Sequence, residues 1–205
     1  MSARVTLQDE DMGATDGRHA RSDRTRSAVA EGMLDCLQEG ILRPSAKQVA
    51  ERAGVSTRAV FRHFENMESL FEQVCEFQIE RVDRQLPLVV EEGTLDQRIQ
   101  SLVANSVARN QITSPVRRAA ILTEPFSKQL RDRYAWFRSV LRRQVRASFA
   151  SELDALNETA RREKVAAVAA LLSFGYWEEL RTHERLSTAA TGRVLCSAIK
   201  ALLQQ

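Results

Sequence analysis

SAKQVAERAGVSTRAVFRHF, residues 45–64, is the stretch on which the fold turns. Ser45 followed by Gln48 makes a capping box, in which hydroxyl and side-chain amide each satisfy the other residue's orphaned backbone N–H. That pairing predicts a short second helix running to about Ala53. Gly54 suits the positive φ that reverses the chain, Val55 is placed to tuck under the turn, and Ser56 can cap a third helix through about Phe64. Two short helices joined by a tight glycine turn form a helix-turn-helix pattern. Val49, Ala53, Val55, Val60 and Phe64 fall where the two helices would face each other, and Ala50 is small enough for close approach. The face left over is Ser56, Thr57, Arg58, Phe61 and Arg62, with His63 beside it, side chains able to reach phosphates or base edges. On spacing alone, an ordinary helical hairpin in an α-bundle is the alternative.

The surrounding composition points to an all-α chain. Of 205 residues 43% are hydrophobic and 28% charged, enough to bury a sizeable core, while eight Gly and four Pro leave little punctuation. The net charge is only +3, but residues 18–64 carry nine Lys and Arg against five Asp and Glu, whereas residues 1–17 carry one against four. The positive excess is therefore densest around the helix-turn-helix, as a nucleic-acid footprint would be. Cys36, Cys75 and Cys196 are far apart and form no C-x-x-C pair, so they read as small buried hydrophobes in a reducing compartment, with redox sensing a remote alternative. His19, His63 and His183 are too scattered for a ligand cluster, so no metal and no cofactor are expected. Neither a membrane span nor an apolar signal core is present in the sequence, and a cytoplasmic protein is expected. None of the phosphate-loop, nucleophile-elbow, zinc-protease or dinucleotide motifs occurs, which argues against an enzyme.

Outward from the motif, residues 1–20 show no apolar periodicity and read as a mobile N-terminal arm. Val29, Met33, Leu34 and Leu37 predict a first helix from Ser22 to Gly40, and Asn66 can cap a fourth that ends near Pro87. Thr94 and Gln97 make a second capping box for a helix to about Ile112, and Pro115 and Pro125 bracket a short connecting helix. Next, Leu130, Tyr134, Phe137, Leu141, Val145 and Phe149 step by three or four, while Arg131, Arg138, Arg142 and Arg146 take another face. That Arg row reads first as a solvated face, with an anionic-ligand pocket as the alternative. After a break at 154–157, a helix over about 157–184 contains thirteen uncharged residues, Val165 to Trp177, and is expected to be buried all round. Ser187 can cap a last helix with an apolar stripe of Val194, Leu195, Ala198, Ile199, Leu202 and Leu203.

Val49-Ala50-x-x-Ala53-Gly54-Val55-Ser56, then Val60-Phe61-Arg62-His63-Phe64 and Glu68-Ser69-Leu70, resembles the DNA-binding segment of the TetR family of transcriptional regulators over about fifty residues. The resemblance implies an N-terminal three-helix helix-turn-helix DNA-binding domain, residues 21–65, followed by a helical ligand-binding and dimerisation domain, residues 66–205. It implies a cytoplasmic homodimer joined through about 157–184 and 187–204, most simply a repressor on a palindromic operator in double-stranded DNA, released by a small-molecule effector. The alternatives are a sequence-tolerant structural DNA-binding dimer and a helical enzyme acting on an apolar small molecule. Two positions depart from the family pattern. Phe61 stands where Tyr is usual, so the phenolic hydroxyl is missing, and Met67 stands where Lys is usual, leaving the phosphate clamp to backbone N–H groups at a helix start capped by Asn66. Arg58 is then the first candidate for base readout, with Lys47, Thr57, Arg62 and the arm residues Arg21, Arg24 and Arg26 for phosphate contact. Phe126, Tyr134, Phe137, Phe174 and Trp177 are candidates for an aromatic-lined ligand cavity, with core packing as the default, and Tyr176 and Trp177 could equally sit at a subunit interface.

Overall fold

The computed structural model describes residues 12–88 and 92–204, with side chains from residue 20 onward. The chain divides into two compact units, the first reaching Val74 and the second starting at Cys75. Every regular element among the described residues is helical.

The first unit contains α1 (Met12–Gln38), α2 (Ala46–Ala53), α3 (Thr57–His63) and the opening turns of α4 (Met67–Gln85). Its core is Val29, Met33, Leu37, Val49, Val60, Phe64 and Leu70, all nearly or wholly inaccessible. α1 ends at Gly40 and α2 at Gly54, both with positive φ (85° and 65°). In each case the next residue donates back across the turn, Ile41 N to Cys36 O and Val55 N to Ala50 O, both at 3.0 Å. Gly32, inside α1, faces α2 so closely that a Cβ there would lie 2.8 Å from Val49 O and 2.9 Å from Ala53 N. A bidentate ion pair between Arg52 and Glu39 ties the two helix ends together. α1 begins at Met12, ten residues ahead of the expected Ser22, so residues 12–20 are helical where the sequence suggested an arm. The sequence of residues 12–20 carries no apolar stripe, which is why periodicity did not register a helix there. Residues 1–11 of the expected arm lie outside the described residues.

The second unit holds the remainder of α4, then α5 (Leu95–Thr123), α6 (Lys128–Ser148), the short α7 (Ala150–Leu153), α8 (Glu158–Leu171), α9 (Phe174–Glu178) with a π-helical turn (Glu179–His183), and α10 (Thr188–Leu203). α5 packs on α10, and α8 on α6 and α10, around Val103, Val107, Val145, Phe149, Val168, Trp177, Leu195 and Ile199. The Trp177 indole N–H is buried without an acceptor among the described residues. Beside this core Arg98 donates to both carboxylate oxygens of Glu152 and to Ser148 O, and that pairing holds the Glu152 carboxyl below the usual range. Cys36 and Cys75 are buried, Cys196 half-buried, and none of the three is in a disulfide.

Two expectations are corrected here. The helix from Thr94 does not stop near Ile112 to restart after Pro115: α5 is continuous through Pro115. Proline removes the donor that would serve the Gln111 carbonyl, and the Ser114 hydroxyl supplies it instead at 3.1 Å, while the Gln78 amide donates to Ile112 O at 3.1 Å. Nor is 157–184 one helix. α8 ends at Leu172, and Ser173 caps α9 while its hydroxyl donates to Ala170 O at 2.6 Å. The Leu172 carbonyl freed by the break accepts from Ser106 (3.0 Å) and Asn110 (3.3 Å) of α5. The uncharged stretch is also not buried all round, since Ala166 and Ala170 are exposed in the single chain.

Candidate nucleic-acid interface and ligand cavity

In the first unit, both predicted caps form. The Ser45 hydroxyl accepts from Gln48 N while Gln48 Oε1 accepts from Ser45 N, and the Ser56 hydroxyl accepts from Ala59 N at 3.2 Å. With α3 thus started, 3.6-residue periodicity turns Val60 and Phe64 into the core. It leaves Thr57, Arg58, Phe61 and Arg62 exposed on one face, with His63 half-buried at its edge. The Arg58 guanidinium makes no hydrogen bond or ion pair among the described residues, and Arg62 makes only a 3.5 Å contact with His63. Half of the Phe61 surface is exposed, an apolar ring on an otherwise polar face. Lys47 projects from α2 with only a loose partner, Glu51 at 3.9 Å.

Asn66 caps α4 as expected: its Oδ1 accepts from Ser69 N at 2.8 Å, and the Ser69 hydroxyl donates to Asn66 O at 2.9 Å. The amides of Met67 and Glu68 are left as first-turn donors without an intrahelical acceptor. The three arginines assigned to the arm sit on α1. Arg21 is exposed, and Arg24 folds back onto Ala20 O. Arg26 donates twice to Gln73 Oε1 and lies 5.7 Å over the Phe64 ring, so its guanidinium is already engaged within the unit.

The second unit contains a cavity of about 470 Å³, within the range of roughly 300–1,000 Å³ typical of small-molecule sites. α4 contributes Cys75, Ile79 and Val82, α5 Arg109, Asn110, Val116 and Arg117, and α6 Tyr134, Phe137, Arg138, Leu141 and Arg142. Ala166, Ala169, Ala170 and Phe174 close it. Of the five aromatic candidates, Tyr134, Phe137 and Phe174 are brought together here. Phe126 is not: it stands 81% exposed between α5 and α6. Trp177 is not either, being 4% exposed within the helical core.

Sequence reasoning missed the arginines. Arg138 and Arg142, read first as part of a solvated row, line the cavity, as do Arg109 and Arg117 from α5. Arg109 had a signal, because it is the lone charge in α5 between Arg98 and Arg117. It is 6% exposed, bonded to Leu86 O and Asp83, and lies 5.7 Å over the Phe137 ring, yet its Nε has no acceptor among the described residues. Arg117 sits 3.6 Å over the Tyr134 ring, and Arg117 and Arg138 share Glu124. Burial pushes the Tyr134 phenol well above its ordinary value, so it stays a neutral donor. Among the described residues no cluster of His, Cys, Asp and Glu could hold a metal ion, and no helix is long and apolar enough to cross a membrane.

Residues 37–74 match the sequence pattern of the bacterial regulatory proteins of the tetR family. A transcriptional regulator from Rhodococcus sp. Rha1 superposes with a TM-score of 0.67 at 19% identity, covering 89% of this chain and 96% of that one. NalD, the secondary repressor of the MexAB-OprM multidrug efflux pump in Pseudomonas aeruginosa, superposes with a TM-score of 0.55 at 22% identity, covering 88% of this chain and 96% of its own. No curated protein matches by sequence. The resemblance expected from residues 49–70 is borne out over the helix-turn-helix, and the all-α fold over nearly the whole chain.

Proposed function

We propose that this chain, on the strength of its TetR-type helix-turn-helix, is a DNA-binding transcriptional regulator and that it acts in the cytoplasm as a homodimeric repressor. In this reading the α3 of each subunit enters the major groove of one half of a palindromic operator, the half-sites lying about 34 Å apart. The observation that carries it is the α3 face itself: Thr57, Arg58, Phe61 and Arg62 stand exposed, and Arg58 has no partner among the described residues. A surface arginine held on a short helix capped by Ser56 suits bidentate recognition of guanine. Lys47, Arg21, Arg24, Arg62 and the free amides at the start of α4 suit the phosphates. Dimerisation through 157–184 and 187–204 is supported by the apolar side chain of Val194, left exposed on α10. The repressor assignment has in its favour that NalD, which shares the fold, is a repressor.

Release by an effector follows from α4. Its first residues hold the cap beside the reading helix, and Cys75, Ile79 and Val82, about two to four turns further along the same helix, face the cavity. A ligand that binds better to one placement of α4 shifts the population of DNA-competent dimers by its differential affinity.

Selection of the full chain on random duplex DNA, followed by rebinding across a salt series, tests this. Enrichment of a palindrome is expected, and Arg58→Ala should then cost about 1–3 kcal/mol and relax the preference at one base pair. Retention of DNA without enrichment would replace the regulator with a sequence-tolerant structural binder. Failure to bind at low salt, together with turnover of an apolar substrate, would replace it with a helical enzyme.

A further inference from the structure

We propose that the cavity of the second unit takes an amphipathic organic anion, its oxyanion head held by Arg138 and Arg142 and its apolar body lying against Val82, Val116, Leu141 and Phe174. The inference rests on the reading of this cavity as the effector site. Its first support is a charge imbalance. Four arginines line the cavity and no Asp or Glu does. The carboxylates that reach these arginines from outside the lining are Asp83, on Arg109, and Glu124, shared by Arg117 and Arg138. Two positive charges are left over, and Arg142 has no hydrogen bond or ion-pair partner among the described residues. Unpaired guanidiniums at the mouth of an apolar cavity offer charge-assisted donors to the head of an anion that enters it.

Placement is the second support. Arg138 and Arg142 are one helical turn apart on α6 and line the same cavity, so their forks converge on one region. Both are exposed residues, which sets them at the solvent side, whereas Val82, Val116, Leu141 and Phe174 are buried or half-buried. The arrangement suits a molecule with one charged end and one apolar end, and it disfavours a cation outright. At about 30 Å³ for each water-sized unit, 470 Å³ holds a body on the order of fifteen such units. Arg109, deeper and with its Nε unpaired, adds positive potential to the interior.

Calorimetric titration of the full chain tests the inference with three probes of one chain length, sodium decanoate, 1-decanol and decyltrimethylammonium, and with the aromatic pair 2-naphthoate and 2-naphthamide. At least one anion should bind about tenfold or more tightly than its neutral counterpart, with the ammonium weakest. In the double variant Arg138→Gln/Arg142→Gln that preference should vanish while decanol binding persists, which also shows that the cavity still forms. Equal binding of anion and neutral counterpart, a preference that survives the double variant, or no binding by either anion would overturn the proposal. DNA release is scored separately. An anion that binds with the expected preference but leaves the DNA complex intact supports the ligand class and refutes the effector role.

Discussion

Replacing Gly32 with alanine probes the closest approach in the DNA-binding unit. Counted locally the change should help, since alanine is favoured over glycine inside a helix by about 1 kcal/mol. The structure predicts the opposite sign. The new methyl would lie 2.8 Å from Val49 O, 2.9 Å from Ala53 N and 3.2 Å from the Ala53 Cβ, all inside ordinary van der Waals contact. Two of those atoms are backbone of α2, so no side-chain rotation relieves the clash. α2 would have to recede as a body, and it is pinned by the Ser45–Gln48 box at one end and the Gly54 turn at the other. Overpacking of this kind costs roughly 1–3 kcal/mol, and a contact with immobile backbone belongs at the upper end. After the propensity gain is subtracted, a net loss of about 2 kcal/mol remains. For a unit of this size that lowers the melting midpoint by on the order of 10 °C. The loss should appear in far-ultraviolet circular dichroism and be accompanied by weaker DNA binding, because α2 carries the turn that orients α3. A Gly32→Ala variant as stable as the parent, or more so, would refute the close packing of α1 on α2.

Other outcomes follow from single features. Ser45→Ala removes an N-cap hydroxyl and should cost about 1 kcal/mol in urea unfolding of the first unit. Phe61→Tyr restores a hydroxyl on the exposed α3 face and should tighten binding to specific and random DNA alike, by about 0.5–1.5 kcal/mol, with a tightening confined to the operator ruling out a phosphate contact. Arg98 depresses the Glu152 carboxyl, so its contribution is complete above the unfolded glutamate value of about 4.3 and is lost as pH falls through the lower folded value. The stability gap between the parent and Glu152→Gln should therefore be constant above about pH 5 and close in more acidic solution, whereas a gap that widens on acidification would reverse the sign.

The first unit was legible because its determinants are local. Ser45 with Gln48, Gly54 and Ser56 act within three or four residues of themselves, and each formed the cap its sequence position implied. The second unit was less so, because its decisive contacts are distant. Beside Leu172 only Ser173 marks the end of α8; the freed carbonyl is held by Ser106 and Asn110, more than sixty residues earlier. Pro115 looked like a stop because its missing donor was visible, but the neighbouring Ser114 hydroxyl takes over the Gln111 carbonyl, and distant Gln78 reaches the next one, at Ile112. Residue type also misled over the cavity. Aromatic character could not separate Tyr134 and Phe137, which line it, from exposed Phe126 or core Trp177. The i,i+4 spacing of Arg138 and Arg142 showed a shared face but not whether that face met solvent or a cavity.

The placement of the aromatic residues gives the protein a built-in optical division. Both tryptophans and both tyrosines, Tyr134, Trp136, Tyr176 and Trp177, belong to the second unit, and the first 74 residues contain neither type. Trp177, sealed in the core with no acceptor for its indole among the described residues, should emit to the blue, and Trp136, nearly half exposed, to the red. Intrinsic fluorescence therefore follows ligand binding and melting of the C-terminal unit alone, and is blind to the DNA-reading head. Paired with circular dichroism, which sees the helices of both, it separates the two unfolding events in unlabelled protein. A screen for stabilised variants read by tryptophan emission alone would pass Gly32→Ala as unharmed.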